Sequence, residues 1–182
     1  MTSVVVGIVP MSAKPYHIGH DQLIRLALLE CKEVVVFVSN ADRVRKGEFP
    51  VKGETMRKVW EDHIMKTFPD EAYVSFVPNP VSAAYTLLGD SDKDPSNTDS
   101  FRIYSDPDDM ERNFPPKSIS KYMPNLVARH RVDRRLVPRE TLVNVSGTQM
   151  RAWLQHGDKA KFIAHLPKTV DGEAVWTALS RR

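Results

Sequence analysis

The sequence predicts an α/β fold: a mainly parallel, doubly wound sheet with helices on both faces, three layers in all. Three observations carry that expectation. Residues 4–9 and 34–38 are near-continuous apolar runs rich in valine, which suits strands covered on both faces. Residues 18–30 between them carry Leu23, Ile24, Ala27 and Leu28 at helical spacing, as an inward stripe. The alternation of strand and helix then continues, and such alternation implies right-handed crossovers and parallel neighbours.

The remaining elements follow in order. Residues 39–52 form a polar loop containing Arg43, Arg45 and Lys46, which leads through Gly53-Glu54-Thr55 into a helix ending near Phe68. Residues 74–77 read as a third strand and 83–88 as a short helical stretch. From 89 to 111 the chain reads as acidic and loop-like, with Asp90, Asp92, Asp94, Asp99, Asp106, Asp108, Asp109 and Glu111 interrupted by a strand at 101–105. A basic stretch follows Pro115-Pro116, with Arg129, Arg131, Arg134, Arg135 and Arg139. On this reading the 182 residues form a single domain, and residues 89–137 are a loop-rich, charged insertion or peripheral region. A helix opens at Gly147 and runs to about Gln155 with Gly157 as its C-cap, and Asp171 caps a final helix through Leu179.

Composition narrows the function classes. A chain 41% hydrophobic and 27% charged can bury a sizeable core. A net charge of +3 is compatible with a small anionic substrate and too weak to argue for nucleic acid. The arginines at 129–139 have no interleaved aromatics for base stacking, so no nucleic-acid partner is expected. They read as a charged face, complementary to the acidic segment in a homo-oligomer. The lone Cys31 allows no internal disulfide and reads as a small buried apolar residue. No apolar run approaches the roughly 20 residues of a membrane span, and residues 4–9 are too short for a secretion signal. The expectation is a cytoplasmic protein without a membrane partner. Trp60, Trp153 and Trp176 lie in helical patterns and read as core, Trp153 also as a substrate contact.

Two stretches carry chemistry. Lys14-Pro15-Tyr16-His17-Ile18-Gly19-His20 follows the first strand and opens the first helix. A helix N-terminus presents free N–H groups and the positive end of the macrodipole, so it attracts anions. His17 and His20, three apart, share one face and can donate to one phosphate, while Gly19 leaves room for a nucleotide to approach the backbone. The second stretch is Val145-Ser146-Gly147-Thr148-Gln149-Met150-Arg151, where Ser146 and Thr148 can cap a helix whose N–H groups face phosphate. In parallel sheets ligands bind beyond the C-terminal strand edges, near the switch point, and the histidines fall at such an edge.

Together these stretches resemble the nucleotidylyltransferase superfamily with the His-x-Gly-His signature, and the second resembles the Ser-Gly-Thr-x-x-Arg element of its adenylyltransferases. Gly53-Glu54-Thr55-Met56-Arg57 is similar to the Gly-Glu-Arg of archaeal-type nicotinamide mononucleotide adenylyltransferases, with Thr55 where arginine usually stands and Arg57 displaced by two. A plain helix start with an early acid explains that segment equally well. The resemblance implies a Rossmann-like α/β/α fold and transfer of AMP from ATP to a small phosphomonoester, nicotinamide mononucleotide favoured, with release of pyrophosphate and with Mg²⁺ accompanying ATP.

It implies catalytic roles for His17 on the phosphates, His20 on the transition state and Lys14 as a point charge. Val9, Pro10, Met11, Gly19, Ser146, Gly147, Thr148 and Arg151 become nucleotide-binding candidates, and Ser39, Arg57 and Trp153 substrate-binding candidates. The metal ligand stays unassigned, since any of the acidic loop carboxylates could serve. A cytidylyltransferase using CTP is an alternative, disfavoured by the lack of that branch's Arg-Thr-x-Gly-Ile-Ser-Thr pattern. A non-catalytic nucleotide sensor is another, disfavoured by retention of both histidines. In-line nucleotidyl transfer suits these residues because the attacking phosphate is already anionic, so alignment and charge stabilisation replace a strong base.

Overall fold

A computed structural model describes residues 3–181. Five strands, β1 (Val5–Met11), β2 (Glu33–Ser39), β3 (Ala72–Val77), β4 (Ser100–Ser105) and β5 (Val132–Leu136), form one sheet in the order β3-β2-β1-β4-β5. Every neighbouring pair is parallel. Nine helices cover it among the described residues: α1 (Ile18–Glu30), α2 (Gly53–Val59), α3 (Pro80–Lys93), α4 (Pro107–Asn113), α5 (Pro116–Tyr122), α6 (Pro124–Ala128), α7 (Gly147–His156), α8 (Lys159–Ala164) and α9 (Gly172–Ser180). After α2 the chain continues through a π turn, Trp60–Ile64, and a 3₁₀ turn, Met65–Thr67.

Strand residues alternate between two cores, as side chains of period two must. Val9, Val34 and Val36 pack with Ile24, Trp60, Met150, Phe162 and Leu179, from α1, the α2 segment and α7–α9. Val6, Ile8, Phe37 and Ile103 pack with Leu88, Met110, Ile119 and Leu126, from α3–α6. Two apolar cores on opposite faces make the predicted three-layer, doubly wound α/β sandwich.

The segment 89–137 departs from the sequence expectation. It is mostly regular structure, and β4 lies beside β1 in the middle of the sheet rather than in an insertion. Residues 83–88 are the middle of α3, which starts earlier because Asn79 caps it, its side chain accepting from Ser82 N at 3.1 Å. Proline in the first turn of α4, α5 and α6 looks like a loop signal, but that position needs no N–H and suits a fixed φ. The acidic and basic stretches also pair with each other within the chain: Arg102 with Asp133, Arg134 with Glu111, Arg139 with Asp106. Arg131 donates to the carbonyls of Asn97 and Asp99. Among the described residues no helix is long and apolar enough to cross a membrane.

One register detail positions the site. β1 pairs with β2 out to Met11, but with β4 only over Val5 to Ile8. Beyond residue 8 the last part of β1 therefore has a partner on one side, which is where Pro10 is tolerated in an otherwise central strand.

Candidate active site

The chain leaves β1 for β2 and β3 on one side and returns to β4 on the other, so the strand order reverses between β1 and β4. Beyond their C-terminal edges opens a cleft of about 380 Å³, lined by Pro10, Met11, Lys14, His17, Gly19 and His20 from the first motif and by Ser146, Gly147, Thr148 and Arg151 from the second.

His17 is the N-cap of α1. Its Nδ1 accepts from Gly19 N at 3.1 Å, and His20 Nδ1 accepts from His17 N at 3.1 Å, a reciprocal capping box built from two imidazoles. The rings stack with centroids 3.8 Å apart. With both Nδ1 atoms accepting, each neutral ring carries its proton on Nε2, and those two N–H groups are what the pair has left to donate. Burial, then the charges of Arg139 and His165, holds the His17 pKa down to about 4. Burial, then His17, Arg139 and Lys14, presses His20 well below its ordinary value. Both are neutral donors at pH 7. Gly19 lines the cleft and has a steric reason besides: a Cβ there would stand 2.9 Å from His17 Cε1, in the place of the capping ring.

The second motif opens α7 with another capping box, Ser146 Oγ accepting from Gln149 N (3.2 Å) and Gln149 Oε1 from Ser146 N (3.0 Å). Gly157, at φ 71°, closes the helix in the left-handed region. Arg151 is 6% exposed and turns back along the helix start. Its Nη1 donates to the Lys14 carbonyl at 2.7 Å and its Nη2 to Thr148 Oγ1 at 3.2 Å. One buried hydrogen bond thus joins motifs 137 residues apart. Gly147 makes it feasible, since a Cβ would sit 2.8 Å from Arg151 Nη1. The Lys14 ammonium donates to the carbonyls of Ser12 and Ser39, and burial, opposed by Asp42, lowers its pKa to about 8. Lys14 and Arg151 therefore brace the loop as well as charging it. Ala13, between them and β1, has φ 52°, a conformation few residues with a Cβ adopt.

Not every sequence candidate meets the cleft. Val9 is core, fully buried. Ser39 lies behind Lys14, its carbonyl taking the ammonium and its hydroxyl accepting from Ala41 N at 3.2 Å. Arg57 pairs with Glu61 at 2.8 Å and covers the Phe76 ring, away from the cleft. Trp153 packs on His165, ring centroids 4.5 Å apart. Gly53 has a steric reason: a Cβ would fall 1.9 Å from the Asn40 carbonyl oxygen, and its N–H donates to Asp42 at 2.8 Å.

Arg43, Asp106, Asp109 and Arg139 also line the cleft; neither arginine was a site candidate, and the two acids stood only among the acidic-segment carboxylates from which no metal ligand was singled out. Asp106 directly follows β4 and caps α4, accepting from Asp109 N at 3.0 Å, and its other oxygen accepts from Arg139 Nη2 at 3.2 Å. Against burial, which works the other way, the Asp109 amide and Arg139 hold Asp106 below the usual carboxylate range. Burial and the Asp106 carboxylate push Asp109 above it. The available signal was position: had 101–105 been read as the strand beside β1, its C-terminal edge would have pointed at Asp106. Among the described residues no group of three or more His, Cys, Asp or Glu gathers as a metal site.

No family model matches the chain, and no curated protein matches it in sequence. Solved structures do. A candidate nicotinate-nucleotide adenylyltransferase from Vibrio parahaemolyticus superposes with TM-score 0.57 at 16% identity, over 97% of this chain and 99% of the other. A bifunctional NMN adenylyltransferase/ADP-ribose pyrophosphatase from Francisella tularensis, complexed with AMP and an Mn ion, gives 0.58 at 16% identity, over 96% of this chain and 48% of that one. TmcAL from Thermotoga maritima, bound with α-thio-ATP, gives 0.53 at 12% identity, over 95% and 55%. The likeness is one of architecture: this chain has the Rossmann-like fold shared by nicotinate-nucleotide and nicotinamide-mononucleotide adenylyltransferases.

Proposed function

We propose that the protein is an adenylyltransferase: a phosphate oxygen of a small phosphomonoester attacks the α-phosphorus of ATP in line. The new P–O bond forms as the bond to the β-phosphate oxygen breaks, and pyrophosphate leaves with the electron pair. No proton need be removed from the attacking anion, so the chain's task is orientation and charge stabilisation. The Arg151–Lys14 hydrogen bond is the observation that carries this reading, because it fixes the two anion-attracting helix starts against one cleft.

The roles divide along that cleft. The Nε2–H groups of His17 and His20 donate to charge growing on the α-phosphate, and the proton sits on Nε2 in each ring because its Nδ1 accepts from the backbone. The first turn of α7, with Ser146 and Thr148, holds the β- and γ-phosphates. Arg43 and Arg139 add positive charge from the cleft lining. Asp106 and Asp109 are the acids available to share a divalent ion, and a pair of carboxylates with phosphate oxygens and water suits Mg²⁺. Such an ion, when bound, offsets the charge of the triphosphate. The Francisella protein, an NMN adenylyltransferase complexed with AMP and an Mn ion, supports a nucleotide with a divalent metal and nicotinamide mononucleotide as acceptor, while the Vibrio protein points to the nicotinate nucleotide of the same class.

Pyrophosphate release from ATP or CTP against a panel of phosphomonoesters tests the reading. Release with ATP and one acceptor is expected, and His20→Ala should lower kcat by about 10²- to 10³-fold, the usual cost of one lost transition-state donor. Full turnover in that variant removes His20 from the chemistry, and binding of ATP without turnover for any acceptor would favour the sensor instead.

A further inference from the structure

Arg151 is buried, yet its Nε has no hydrogen-bond partner. The anion beside it, Glu48 Oε2, stands 3.5 Å away. A buried guanidinium N–H without an acceptor is costly, so an acceptor belongs there. Glu48 is already committed: its Oε2 accepts from Arg43 Nε and its Oε1 from Arg43 Nη2, both at 2.9 Å. One carboxylate is therefore shared unequally between two arginines, and both arginines line the cleft beside the start of α7. Burial, then the charge of Arg43, presses the Arg151 pKa below its ordinary value. The loop holding Glu48 is anchored, because Phe49 and Val51 are buried and Arg43 and Val51 exchange backbone hydrogen bonds of 2.8 and 3.0 Å. Only the Glu48 side chain needs to move for the two cations to be re-partnered.

We propose that Glu48 is a resident anion standing between Arg43 and Arg151, that the terminal phosphates of a polyphosphate displace it, and that it thereby sets how tightly polyphosphate is held. This rests on the reading of the cleft as a triphosphate site, and it names Arg43 and Glu48 as the residues that determine affinity there. A phosphate group carries more charge and one more acceptor oxygen than a carboxylate, so it can satisfy Arg43 and the Arg151 Nε together. A carboxylate or a weakly charged ligand cannot evict Glu48 on those terms, which biases the cleft toward polyphosphates.

The test is calorimetric titration of pyrophosphate, with Mg²⁺ present, into the wild-type chain, Glu48→Gln, Glu48→Ala and Arg43→Ala. Both Glu48 variants should bind about fivefold tighter, the change expected when one partly exposed competing pair is lost, and Arg43→Ala about tenfold weaker. In the wild-type chain, ¹⁵N–¹H signals of the Arg43 and Arg151 Nε groups should both shift along the same titration, a readout that needs no variant to fold. Glu48 variants that bind no tighter, or Nε signals that stay in place while pyrophosphate binds, overturn the proposal while leaving the transfer reaction to be judged by pyrophosphate release. A wild-type chain that binds no pyrophosphate overturns both.

Discussion

At the scale of single residues, the histidine pair behaves as two neutral donors because each ring also serves the backbone. Protonation would turn the accepting Nδ1 into a donor and break the cap. Both folded pKa values lie below the unfolded value, so the unfolded chain takes up protons first as pH falls. Their contribution to stability is thus complete above about pH 6.5 and is lost as pH drops toward the His17 value of about 4. Denaturant unfolding at pH 7 and pH 5 should show that loss, and His17→Ala should flatten it. Arg139 offers a cleaner probe. Arg139→Ala removes a positive neighbour from both rings, so the His17 resonance should titrate at higher pH by NMR, and an unchanged titration would separate Arg139 from the histidines. Arg151→Lys keeps the charge but cannot reproduce the bonds to Lys14 and Thr148, and should cost about 1–3 kcal/mol of stability by thermal or chemical melting.

At the scale of elements, the helices that close the cleft are fixed by their ends. Ser146→Ala deletes one side of the α7 capping box and should cost about 1 kcal/mol, measured by urea unfolding, with weaker binding of ATP beside it. Such ends explain what the sequence made legible. α1, α7 and α9 were readable almost to the residue, because a polar cap precedes an apolar stripe in each and, for α7, a glycine follows. α4, α5 and α6 were not, because they are short and begin with proline, and their helical state comes from packing into the core around β4 and α3 rather than from pattern. In the cleft, the histidines and the Ser-Gly-Thr-x-x-Arg element were legible as local strings. Arg43 and Arg139 were not, and Asp106 and Asp109 could not be singled out of the acidic segment, since each owes its place to a strand order that no local string encodes.

For the whole molecule, the stop of β1–β4 pairing at Ile8 has a further consequence. The two apolar cores lie on opposite sides of the sheet, and the cleft draws α1 and α7 from one and the start of α4 from the other. A ligand seated there would act as a rivet across a seam between two independently packed layers. Its binding energy should then appear as thermal stiffness of the entire chain. Melting temperature should climb with the logarithm of added ATP once the dissociation constant is exceeded, in a single sharpened transition seen alike by the fluorescence of the three tryptophans and by backbone ellipticity.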